Sequence, residues 1–115
     1  MKKLLIANRG EIAIRIGQTA NELGYSTIAV FPEDDANSLH VQQSDESIQI
    51  PGVGAQAYLN IEEIINAAKL CAADAVHPGY GFLSENPDFA KACQNAGINF
   101  VGPTAAQLSI FGNKA

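Results

Sequence analysis

Residues 4–31 read LLIANRGEIAIRIGQTANELGYSTIAVF, and this stretch decides the fold class. Leu4-Leu5-Ile6-Ala7 is an unbroken apolar run, the pattern of a parallel strand buried on both faces. From about residue 10 to 23 the apolar residues Ile12, Ala13, Ile16, Ala20 and Leu23 recur at helical spacing. Gly24 then supplies a C-terminal stop. Thr27-Ile28-Ala29-Val30-Phe31 is a second strand, closed by Pro32. Strand, helix and strand in so short a span predict a right-handed crossover unit with parallel strands.

Outward from that unit, Glu33 to Gln43 is polar and has no clear period, so it reads as a loop with His40 solvated. Ser47-Ile48-Gln49-Ile50 alternates and stops at Pro51-Gly52, which predicts a short edge strand. A loop at Gly52-Val53-Gly54 leads to Asn60-Ile61-Glu62-Glu63, an N-cap signature with Glu63 reaching back. The helix it opens puts Ile61, Ile64, Ile65 and Ala68 on one face. Ala75-Val76-His77 is a fourth strand, ending in Pro78-Gly79-Tyr80-Gly81. Asn86-Pro87-Asp88 starts another helix, with Pro87 in its first turn and Asp88 at the positive dipole end. Phe89, Ala90 and Cys93 form its inner face and Gly97 ends it. Ile98-Asn99-Phe100-Val101 is a fifth strand, and Pro103-Thr104 with Gln107 opens a last short helix that stops near Gly112.

Alternating strands and helices predict an α/β fold: a doubly wound, mostly parallel five-stranded sheet, Rossmann-like, with helices on both faces and strand order 3-2-1-4-5. Residues 1–115 read as one domain. Ligands in such sheets bind beyond the strand carboxyl ends where the winding reverses. Here that point lies between the first and fourth strands.

Composition narrows the function. Forty-seven per cent of the residues are hydrophobic and 17% charged, which is globular and not disordered. The net charge of −5 and the lack of a basic patch argue against nucleic acid as a partner. No apolar run approaches the ~20 residues that cross a bilayer. Asn8-Arg9-Gly10-Glu11 ends the opening apolar run too early for a signal core. The expected location is therefore the cytoplasm or an organelle matrix. Cys71 and Cys93 lack metal-ligand spacing and read as two buried reduced thiols.

Two segments fall at the predicted ligand end. After the first strand, Asn8-Arg9-Gly10-Glu11 has a single glycine, where a dinucleotide turn needs three, and Glu11 would face any phosphate. That argues against NAD; Asn8 and Gly10 either only shape the turn, with Arg9 paired to a carboxylate, or serve a different ligand. After the fourth strand comes His77-Pro78-Gly79-Tyr80-Gly81-Phe82-Leu83-Ser84-Glu85-Asn86. Two glycines flanking an aromatic either only shape a structural loop or suit a flat, polar-edged ligand. His77 has the chemistry of a general base, but a strand-end histidine before proline is more often held by a hydrogen bond. Lys114, after Gly112-Asn113, is either a solvated lysine or one that reaches phosphate oxygens as a point charge.

Ile6–Ala13 resembles the opening motif of the biotin carboxylase family. The run His77–Asn86 resembles its second signature, and Gly102-Pro103 followed by Gly112-Asn113-Lys114 is similar to the segment that ends its N-terminal domain. The resemblance covers essentially all 115 residues. It implies a pre-ATP-grasp domain, one part of a longer enzyme whose ATP-grasp and C-terminal domains supply most ATP contacts and the magnesium carboxylates. It implies ATP, Mg2+ (or Mn2+) and biotin as cofactors, and bicarbonate as co-substrate. The partners it implies are a biotin carboxyl carrier protein or domain and a second copy of the parent enzyme in a homodimer. In the implied reaction ATP phosphorylates bicarbonate to carboxyphosphate, and the carbon dioxide released is captured by N1 of biotin. By the same resemblance Lys114 contacts ATP, and Tyr80 and Gly81 lie beside the biotin ring. The exposed face of the first helix, Arg15, Gln18 and Glu22, forms part of the dimer surface. No catalytic residue and no metal ligand fall in this segment. Asn113 departs from the family's usual Gly-Asp-Lys. The competing readings are the pre-ATP-grasp domain of another ligase, such as carbamoyl-phosphate synthetase, a non-catalytic nucleotide-binding domain, and a small NAD-dependent oxidoreductase. The His77–Asn86 run speaks against the first of these.

Overall fold

The computed structural model describes residues 2–101. The helix expected over 103–112, with Asn113 and Lys114, lies outside them. In chain order the elements are β1 (Lys3–Ile6), α1 (Gly10–Glu22), β2 (Ser26–Phe31), α2 (Leu39–Gln42), β3 (Glu46–Gln49), a 3-10 helix (Ala55–Leu59), α3 (Ile61–Leu70), β4 (Ala75–His77), α4 (Pro87–Asn95) and β5 (Asn99–Phe100). The sheet runs β3-β2-β1-β4-β5, and every pairing is parallel. This is the expected doubly wound order, with β1 at its centre.

Alternation along β1 divides the interior. Leu5 and Ala7 join Ile28, Val30, Val76 and the inner faces of α3 and α4 in the larger core. Leu4 and Ile6 turn the other way and meet Ala13 and Ala20 of α1. Helices therefore cover both faces. Each large apolar side chain buried here, such as Leu5 or Phe89, contributes about 1.5–3 kcal/mol. Local signals set the helix ends. The Asn86 side chain accepts from the backbone N–H of Asp88 at 2.8 Å and of Phe89 at 3.3 Å. That of Asn60 accepts from the Glu63 N–H at 3.2 Å.

Five expectations need correction. Leu23 is 72% exposed and lies outside the inner stripe of α1, because the helix ends at Glu22. The polar stretch 33–43 contains the short helix α2. His40 is not solvated: it is 3% exposed and sits on that helix. The reciprocal half of the Asn60 cap is missing, since the Asn60 N–H donates to the Ala57 carbonyl of the 3-10 helix instead. Cys93 is buried, but Cys71 is only partly so.

Candidate functional site

The carboxyl ends of β1 and β4 lie side by side, with Ile6 opposite His77. Each runs into one of the two motif segments. Asn8, 1% exposed, joins them. Its side-chain amide donates to the Pro78 carbonyl at 2.8 Å and the Tyr80 carbonyl at 2.7 Å. Its side-chain oxygen accepts the Arg9 N–H at 2.8 Å. Nδ1 of His77 accepts the Gly79 N–H at 3.0 Å. Burial lowers the pKa of His77, so the ring is neutral at pH 7 and holds the loop. Nothing in this geometry makes it a base.

Gly79 has φ +67°, and a Cβ there would lie 2.7 Å from Nδ2 of Asn8 and 3.0 Å from Cγ2 of Ile12. Only glycine fits. Gly81 also has a positive φ of +70°, but a Cβ there would meet nothing within 4 Å. Tyr80, between them, is 78% exposed. The backbone of this loop is thus fixed from below while the phenol ring stands free above it.

Tyr80 lines an apolar groove of about 460 Å³ on the α1 side of the sheet. Ile12 and Ile16 of α1, Leu4, Ala75 and the half-buried His77 line it too. Arg15 lines the same groove. It is exposed, as are Gln18 and Glu22 further along α1. Among the described residues no three or more His, Cys, Asp or Glu side chains gather to hold a metal ion.

A second cavity, about 410 Å³, lies at the start of α1, lined by Arg9, Gly10, Glu11, Asp35, Ser38 and His40. Arg9, expected to pair with a carboxylate, forms no ion pair among the described residues. His40 lines this cavity and is itself buried. Its Nδ1 is 3.0 Å from the Ser38 hydroxyl, and its Nε2 is 3.3 Å from both the Val30 carbonyl and the Tyr58 hydroxyl. Burial lowers the pKa of His40 and raises that of Tyr58, so both are neutral at pH 7.

The structure therefore brings Tyr80, Gly81 and Arg15 to one region and leaves Lys114 outside the described residues. Sequence reasoning saw Asn8 as a turn former and missed its hold on the second motif. Its partners are 70 and 72 positions away, so no local pattern announces them. In the sequence the two glycines are the same residue on either side of Tyr80. Only the distances to Asn8 and Ile12 separate them.

A family profile for the biotin carboxylase N-terminal domain matches residues 1–108. Biotin carboxylase 1 of Bacillus subtilis (strain 168) is 52% identical over 115 residues, 99% of this chain and 26% of that protein. Pyruvate carboxylase of Staphylococcus aureus is 53% identical over 116 residues, 99% of this chain and 10% of that protein. Among solved structures, the biotin carboxylase domain of a single-chain bacterial carboxylase superposes with a TM-score of 0.95 at 51% identity, covering 99% of this chain and 27% of that one. The chain thus spans about a quarter of the length of the first relative and a tenth of the second. At this identity and coverage the fold and both motif segments have one reading: the chain belongs to the biotin carboxylase family, whose N-terminal domain it matches.

Proposed function

We propose that this chain serves as the N-terminal domain of an ATP-dependent ligase that carboxylates biotin carried on a carrier protein or domain. ATP and bicarbonate are the co-substrates, Mg2+ or Mn2+ neutralises phosphate charge, and the enzyme works as a homodimer in the cytoplasm or an organelle matrix. The domain's own contribution is one wall of the biotin site, formed by Tyr80 and the backbone of Gly79 and Gly81. One observation carries this: an exposed phenol ring on a rigid loop at the point where the winding of the sheet reverses. An aromatic face held in place gives a flat ring contact area at little ordering cost. Lys114 is assigned a phosphate contact to ATP through its place after Gly112-Asn113, and Arg15, Gln18 and Glu22 are assigned to the subunit interface through their exposed, helix-spaced row. The test is steady-state kinetics of Tyr80→Ala and Gly81→Val in the full-length carboxylase, with biotin and ATP varied separately. Loss of the aromatic wall removes about 1–3 kcal/mol of binding, so the KM for biotin rises while that for ATP stays within about twofold. A rise confined to ATP assigns the loop to the other ligand and overturns the reading.

A further inference from the structure

We infer that Asn8 is a positioning residue for the biotin site, acting through the Pro78–Tyr80 backbone. This rests on the assignment of Tyr80 to that site and extends it to a residue on a different strand. Three consecutive residues of the loop each have a backbone group pinned by a side chain. Asn8 holds the carbonyl of Pro78 and that of Tyr80, and His77 holds the N–H of Gly79 between them. With its oxygen accepting from Arg9, Asn8 has both amide hydrogens and one oxygen lone pair engaged. It has no freedom to rotate without leaving a buried polar group unpaired. The bare α-carbon of Gly79 lets the loop close onto Asn8. Tyr80 itself touches the rest of the chain through its carbonyl and leaves its ring exposed. The backbone from which that ring projects is therefore held by a residue buried beneath it. A recognition group displaced by about an ångström loses roughly a hundredfold in effect, so the Asn8 amide sets the affinity of the site from beneath it.

The experiment uses the full-length carboxylase in four forms: wild type, Asn8→Ala, Tyr80→Ala and the double variant. Asn8→Ala is expected to raise the KM for biotin roughly tenfold to a hundredfold and to leave that for ATP within about twofold. The double variant is expected to be no worse than Tyr80→Ala alone, because both changes act on the same ring. Equal rises in both KM values, or effects of the two single changes that multiply, would overturn the inference. Amide hydrogen exchange on the wild-type enzyme gives an answer that needs no variant to fold. The Arg9 amide, donating to the Asn8 side-chain oxygen, is expected to exchange slowly, and exchange at an unprotected rate also overturns the inference. The outcomes separate the two claims. If Tyr80→Ala leaves the KM for biotin unchanged, the assignment of the loop is wrong. If Tyr80→Ala raises it and Asn8→Ala does not, only the role of Asn8 is wrong.

Discussion

Gly79 and Gly81 look equivalent in the sequence and have nearly the same φ, so substituting each with alanine isolates the effect of what surrounds them. At Gly81 the new methyl meets open space, and the left-handed backbone costs about 1 kcal/mol. At Gly79 the same strain is joined by overlap with Asn8 and Ile12, for a total of about 2–4 kcal/mol. Urea unfolding of the two variants should show that order, and equal losses would contradict it. His40 makes a second prediction at this scale. Its folded pKa lies below the ordinary 6.5 because burial penalises the charged ring, and His77 is lowered for the same reason. Between that lower value and 6.5 the unfolded chain binds more protons, so stability is whole above about pH 7 and is lost as pH falls through 6.5. Thermal melts from pH 7.5 to 5 should show a falling midpoint, with a shallower slope in His40→Asn. Asp45 is kept out of this window. The Thr27 N–H and then the Asn21 amide hold its pKa below 3.8, so its contribution is lost only at lower pH. Neither the burial of His40 nor the grip of Asn8 was visible in the sequence, because Val30, Tyr58, Pro78 and Tyr80 come from other elements.

Among the elements, those with a strong period or a strong cap were legible. α1 and α3 follow from their apolar spacing, and α4 from Asn86-Pro87-Asp88 and Phe89. β1 and β2 follow from runs too apolar to lie anywhere but between two layers. The central position of β1 follows from crossover handedness. The 3-10 helix at Ala55–Leu59 and α2 at Leu39–Gln42 were not legible. Each is too short for a period to emerge, and each buries one key side chain, Tyr58 or His40, against groups distant in sequence. Capping gives the test at this scale. Asn86→Ala leaves the N–H groups of Asp88 and Phe89 without their acceptor and costs about 1 kcal/mol, a drop of roughly 3–6 °C in melting midpoint. Asn86→Asp keeps the acceptor and should melt close to wild type. Equal losses in both variants would assign the effect to something other than the cap.

For the molecule as a whole, both cores share β1 as their central strand, so neither layer can unfold and leave the other intact. The 115-residue chain is expected to melt in a single cooperative transition, followed alike by far-ultraviolet dichroism and tyrosine fluorescence. The same chain is expected to show no bicarbonate-dependent ATP hydrolysis in the presence of free biotin. Measured turnover would place the catalytic groups within it. The outer strands of the sheet have a separate consequence. Among the described residues β3 is four residues long, with Ser47 and Gln49 turned to solvent, and β5 is two. Borders so brief offer an approaching molecule too few open N–H and C=O groups to template a sixth strand. Short outer strands thus guard against edge-to-edge aggregation, and concentrated copies should stay monodisperse without a charge-rich rim.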